Sequence, residues 1–242
     1  MINSSTFITN IHSYVRSTRI ARRGSLLRPD NILRGLHKEY LRMPRIALPK
    51  AEKLSLSLDE TLRSRVSCSE CVSERPLTLS ELGTLLGNAL GMRDETHRRY
   101  PSGGALYPVE TYLIGNVLEG YPSGVFHYHP QSHAIEFLWE TPPAFAMANV
   151  MRSSDIVLAP VLIVFTSVWN RSSVKYGDLA YSHSLIEAGH MAENISLVAT
   201  ALSLGSRSIA GYDDRIISSL LDLDERLEQP IYSVLLYPSL TT

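Results

Sequence analysis

The sequence predicts an α+β fold, and three observations predict it. A continuous apolar run from Pro160 to Trp169 (PVLIVFTSVW) is rich in β-branched residues and reads as a central strand buried on both faces. A proline-free stretch from Asp178 to Leu204 carries apolar residues on more than one face, so it reads as a helix buried on several sides or facing another subunit. Shorter strands and capped helices surround these two without strict βαβ alternation, so the class is α+β.

In chain order, Pro44, Pro49 and the polar stretch LSLSLDE mark a join near residues 44–58. Asp59 to Arg65 then reads as a short helix. Thr78 to Gly91 is a second helix. Thr78 and Glu81 have capping-box spacing, Leu79, Leu82, Leu86 and Leu90 line one face, and Gly91 stands where a helix end favours glycine. Residues 92–108 are polar and glycine-bearing, hence a loop. Val109 to Val117 reads as a strand, and Phe126 to His129 and Ile135 to Trp139 read as two more, joined by a His-Pro-Gln-Ser-His turn. Pro142-Pro143 opens a short helix through Asn149. Beyond the long helix, Gly205 to Asp214 is a small-residue loop. Asp213 caps a helix bearing Ile216, Ile217, Leu220 and Leu221, and Ile231 to Tyr237 closes as a strand.

The 242 residues allow one large domain, or a domain plus an extension: a basic arm over 1–58 and a body over 59–242. Residues 1–53 hold 11 Lys+Arg against 3 Asp+Glu, whereas the remainder holds 12 against 21. Such an arm can dock on its own acidic body or on a protein partner. No nucleic-acid motif accompanies it, so nucleic acid is not the expected partner. No run is long enough to span a bilayer and no secretion signal precedes the body, which predicts a cytoplasmic protein. Cys68 and Cys71 form a CxxC pair without further ligands for zinc, so two free thiols are expected.

Four constellations could carry chemistry. Pro101-Ser-Gly-Gly-Ala-Leu-Tyr-Pro108 lets backbone approach a flat or charged ligand, or is a tight turn; it matches neither a phosphate loop nor a dinucleotide fingerprint. Lys175-Tyr176-Gly177, expected in a polar loop, offers an amine and a phenol that could move protons, or a surface lysine beside a packed tyrosine. Glu187, His190 and Asn194 share one helix face. They supply too few metal ligands, so no metal site is expected and a hydrogen-bonding stripe is the simpler reading. The loop from Gly205 to Asp214 could admit a cofactor to its backbone.

Taken together, PSGGALYPVETYLI, GVFHYHP and KYGDLAYSHSLIEAGHMAENISLVATALSLGSRSIAGYDD resemble, in order, the streptolysin-associated (SagB-type) and microcin azoline dehydrogenases of the nitroreductase superfamily. The resemblance spans about residues 60–240 and leaves the basic arm uncovered. It implies a nitroreductase-like fold: a mixed, mainly antiparallel sheet wrapped by helices, in a homodimer with the long helix at the interface. It implies FMN as cofactor, and Lys175 and Tyr176 as the catalytic pair. Arg65 and Ser67 match an arginine-serine element that contacts the flavin phosphate. The match is incomplete because Ser69 stands where a second arginine belongs, and Arg63 or Arg207 could supply that charge. Ser102, Gly103 and Gly104 match one loop at the flavin ring, and Ile209, Ala210 and Gly211 match the loop on its other side. Asn194 completes the expected cofactor-binding set. The implied reaction is oxidation of thiazoline or oxazoline rings to azoles in a leader-bearing peptide. The implied partners are a YcaO-type cyclodehydratase and a leader-binding protein. A general NAD(P)H-dependent nitro or quinone reductase, or a flavin-free scaffold subunit, are the alternatives.

Overall fold

The computed structural model describes residues 13–14, 37–68, 75–142, 150–151 and 161–238. Its elements in chain order are β1 (Arg45–Ala47), α1 (Leu58–Ser64), α2 (Leu79–Ala89), β2 (Val109–Gly115), β3 (Gly124–His129), β4 (Ala134–Glu140), β5 (Val161–Val168), α3 (Asn170–Tyr176), α4 (Leu179–Ala201), β6 (Gly205–Ile209), α5 (Asp214–Leu220) and β7 (Glu228–Tyr237). The strands form a seven-stranded sheet in the order β1-β4-β3-β2-β5-β7-β6, with neighbouring strands antiparallel.

Local chemistry sets the helix starts. Ser57 with Glu60, and Thr78 with Glu81, each close a capping box, so α1 and α2 begin with two of their orphan N–H groups satisfied. Asp213 receives the N–H groups of Arg215 and Ile216 and starts α5. The sheet is buried on both faces because its strands alternate between two cores. Leu113, Phe126, Ile163 and Phe165 pack against Leu82, Leu85 and Leu86 of α2 and Ala188, Met191, Ile195 and Ala199 of α4. Ile114, Val125, Leu162, Val164 and Leu235 pack on the opposite side with Ile217 and Leu221. Within this chain α4 keeps apolar side chains in solvent: Tyr181, Leu185 and Ile186 are exposed. No helix among the described residues is long and apolar enough to cross a membrane.

Three expectations are corrected. Gly205–Ile209 is an edge strand paired with β7 rather than the start of a loop. Lys175 and Tyr176 end a short helix rather than lying in a loop. The end of the expected arm, by contrast, docks on the body as its charge allows: Arg45–Ala47 extends the sheet alongside β4, and Lys38 pairs with buried Glu228 at 2.8 Å. Cys68 is disulfide-bonded and not a free thiol: the lack of further zinc ligands excluded a metal site but not a cross-link. Cys71, residues 143–149 of the helix expected after Pro142, and most of the basic arm lie outside the described residues.

The packed-down segment covers a belt of buried charge. His127 on β3 directs Nδ1 to Glu136 and Nε2 to Glu110, each at 2.9 Å, and all three are buried. Two carboxylates on one imidazole require both nitrogens to donate. Burial opposes that charge, but the two carboxylates outweigh it and raise the His127 pKa. Arg171 pairs with Glu110 and Arg45 with Glu136, completing the neutralisation.

Candidate active site

The turn Pro101–Pro108 departs from ordinary backbone geometry three times. Gly104 (φ +66°), Ala105 (+55°) and Tyr107 (+47°) are left-handed, and two of them carry side chains. Such residues persist only where their surroundings hold them. Here the Tyr107 N–H donates to Ser102 Oγ at 2.9 Å, the Arg98 N–H donates to Tyr107 Oη at 2.9 Å, and the Arg171 guanidinium donates to the Tyr107 carbonyl at 3.2 Å. The Arg98 guanidinium also lies over the Tyr107 ring, 4.8 Å from its centroid. Ser102 Oγ in turn donates to Glu187 of α4.

Gly104 is where the turn meets the amine and the phenol. A Cβ on Gly104 would sit 2.6 Å from Lys175 Nζ and 2.8 Å from Tyr176 Oη. Both functional atoms therefore converge on the bare Cα of Gly104. Gly177, at φ +52°, ends α3 immediately after Tyr176. The Tyr176 ring stands edge-on to His183 of α4 at 4.7 Å between centroids. A cavity of about 600 Å³ opens at Lys175, lined also by Arg93, Arg98, Arg99, Gly104 and Tyr107. A smaller one of about 260 Å³ lies on the α4 side of the turn, lined by Gly103, His183, Ile186, Glu187 and His190.

The structure thus brings Lys175, Tyr176, Ser102, Gly103 and Gly104 together. It places the other expected residues elsewhere. Arg65 caps the end of α1, Ser67 bridges to Ser206 of β6, and Arg207 follows on that strand, so the three gather at the β6 edge. None of them lines either cavity at the turn. Ala210 lines a third cavity of about 330 Å³ with Trp169, Tyr181, Tyr212 and Arg215. Ile209, which ends β6, and Gly211 flank Ala210. Asn194 donates to the carbonyls of Ala89 and Arg99, tying α4 to the end of α2 and to the segment that leads into the turn.

Sequence reasoning treated Glu187 only as part of a polar stripe. It is 2% exposed, and its Oε1 makes no hydrogen bond among the described residues. Burial pushes its pKa up to about 7, against the opposing effects of Ser102, Arg98, the Val109 backbone N–H and Arg171. The sequence signal was its place within the apolar stretch of α4; its partner, Ser102, lies too far along the chain to be read. His37, Glu39 and His129 also cluster within 4.8 Å. His129 Nδ1 accepts the Ser132 N–H, so Nε2 carries the proton and donates to Glu39.

Lysine, tyrosine, serine and glutamate can place and move protons, but none accepts an electron pair reversibly. A redox reaction at this turn would therefore need a bound cofactor as the electron acceptor, with the protein supplying orientation and acid–base groups. The chain belongs to the nitroreductase family, whose model matches residues 62–236. It is 33% identical over 195 residues to the nitroreductase-like protein MJ1384 of Methanocaldococcus jannaschii, covering 80% of this chain and 94% of that one. It is 31% identical over 163 residues to the microcin B17-processing protein McbC of Escherichia coli, covering 64% of this chain and 60% of McbC. Among solved structures, a chain of the E. coli McbBCD microcin synthetase complex with truncated pro-MccB17 bound superposes with a TM-score of 0.66 at 26% identity, covering 96% of this chain and 91% of that one.

Proposed function

We propose that this chain is an FMN-dependent azoline dehydrogenase, which oxidises thiazoline or oxazoline rings to thiazoles or oxazoles in a ribosomally made, leader-bearing peptide. The carrying observation is the convergence of Lys175 Nζ and Tyr176 Oη over the Cα of Gly104. Ring oxidation removes two electrons and two protons, and one of those protons, on the carbon alpha to the carbonyl, needs a base. Lys175 takes that proton at Nζ, and Tyr176 Oη, which converges on the same point over Gly104, is placed to pass it on. Both atoms lie on the same side of Gly104, so a ring bound at this turn meets them together.

The residues fit FMN. The cavity of about 600 Å³ beside Gly104 and Lys175 is bordered by Arg93, Arg98 and Arg99, cations suited to an anionic ligand. When bound, the flavin supplies the two-electron acceptor. Ser102, Gly103 and Gly104 would hold its ring on one side and Ile209, Ala210 and Gly211 on the other, with Arg65, Ser67 and Arg207 as phosphate donors. These last three lie at the β6 edge, so a complete site requires a homodimer, and the exposed apolar residues Tyr181, Leu185 and Ile186 of α4 are ones a second copy would cover. A YcaO-type cyclodehydratase and a leader-binding protein are the expected partners, by likeness to the McbBCD complex.

The test is anaerobic addition of an azoline peptide to flavin-loaded protein. The absorbance near ~450 nm should bleach with wild type. It should persist with Lys175→Ala although flavin stays bound. Bleaching at an unchanged rate would remove the base assignment. The likeness to the archaeal nitroreductase-like protein favours a second reading, general NAD(P)H-dependent reduction. Steady NADPH consumption with a nitroaromatic, and none of the peptide chemistry, would select it.

A further inference from the structure

Glu187 lies outside the proposed proton transfer, yet its hydrogen bonds lead to the centre of the site. Ser102 Oγ accepts the Tyr107 N–H, so the proton of the hydroxyl itself points to Glu187 Oε2. Oε2 is therefore used as an acceptor. When the carboxyl is neutral, its proton sits on Oε1, the buried oxygen without a hydrogen-bond partner among the described residues. Glu187 lines the small cavity between the turn and α4, beside Gly103, His183, Ile186 and His190.

We infer that Glu187 is a positioning residue with two tasks: Oε2 locks the Ser102 hydroxyl and with it the turn, and Oε1–H donates to an acceptor atom on the edge of the planar heterocycle that binds against Ser102–Gly104. The ligand class is a flat ring carrying a carbonyl oxygen or an imine-type nitrogen. On the function proposed above, that ring is the flavin.

The surroundings support a neutral carboxyl. Burial disfavours its charge and outweighs the opposing pull of the Ser102 hydroxyl, of Arg98 from the segment before the turn, of the Val109 backbone N–H at the start of β2 and of Arg171 on α3. The other facing groups are Tyr100 and Ser102 from the turn side and His183 and His190 on α4 itself. An ionised Glu187 would still hold Ser102 but would present a second acceptor to the ligand edge, and the two acceptors would repel.

FMN titrations from pH 6 to pH 8 with wild type, Glu187→Gln and Glu187→Met test this. Glutamine keeps an acceptor for Ser102 and a permanent donor for the ligand. With the neutral form as the competent one and a pKa of about 7, wild-type affinity should fall about 10-fold relative to Glu187→Gln across that range. Taking the ratio of the two proteins cancels titration of the FMN phosphate. Glu187→Met should bind weakly at every pH. A constant ratio, or wild-type affinity in Glu187→Met, overturns the inference. Absence of FMN binding by all three proteins would instead overturn the flavin reading, and with it the ligand half of this inference. The melting temperatures of the unliganded proteins over the same pH range separate these failures, because they report the Ser102 lock without any flavin.

Discussion

Replacing Gly104 with alanine probes the geometry on which the proposed chemistry rests. The substitution has two effects that a control can separate. The first is backbone strain: at φ +66° an alanine is destabilised by roughly 1–2 kcal/mol. For a chain of this size that lowers the melting temperature by roughly 2–8 °C. The second effect is contact. The new Cβ would stand 2.6 Å from Lys175 Nζ and 2.8 Å from Tyr176 Oη. The lysine end is flexible and yields, but it must retreat by roughly 1 Å, a displacement that costs about 100-fold in turnover. Gly120→Ala is the control: it sits at φ +81° with nothing within 4 Å of its Cβ position, so it bears the strain without the contact. Melting temperatures and single-turnover azole formation should be measured for both variants. Gly104→Ala should lose about 100-fold in rate and Gly120→Ala almost nothing, with similar losses in stability. Equal turnover in the two variants would refute the convergence argument.

Unliganded wild type should weaken relative to Glu187→Gln as pH rises. A carboxyl raised from 4.5 to about 7 gives stability that is full below pH 4.5 and is lost by pH 8, a change of about 3 kcal/mol that chemical denaturation can read. His127→Leu removes the cation between two buried carboxylates and should cost about 3–5 kcal/mol in urea unfolding. Its partner Glu136 is held down to about 2, by His127 and Arg45 against burial, so the stability it contributes is present above pH 4.5 and is lost on acidification toward pH 2. Ile186→Arg, at an exposed position of α4, should convert a dimer to monomers in sedimentation velocity and release flavin with it; an unchanged sedimentation coefficient would count against the dimeric site.

Much of this architecture was readable from the sequence because one physical signal dominated locally. The run at β5 is apolar from Val161 to Phe165, α4 carries apolar residues around its circumference, and Thr78, Glu81 and Asp213 announce their helices by capping chemistry. The misses are segments without such a signal. Asn170–Tyr176 (NRSSVKY) has too few apolar residues for helical periodicity, so Lys175 and Tyr176 read as a loop. Gly205–Ile209 (GSRSI) is an edge strand whose pairing with β7 outweighs its poor strand composition. Three-residue β1 is shorter than any pattern window. The buried belt was visible only as polar residues inside apolar strands, Glu110 in VETYLIG, His127 in GVFHYH and Glu136 in AIEFLWE, and only register shows that they meet. The turn at Ser102–Gly104 and the Lys-Tyr pair were each legible as candidates, but their meeting over Gly104 is a tertiary fact.

The central claim is that Lys175 and Tyr176 serve ring oxidation on a peptide. Mass spectrometry of an azoline-bearing precursor, incubated with flavin-loaded protein and its cyclodehydratase partner, measures it most directly. Each ring should lose about two mass units with wild type and none with Lys175→Ala. A precursor mass that stays unchanged, with flavin bound to the wild-type protein throughout, would contradict it.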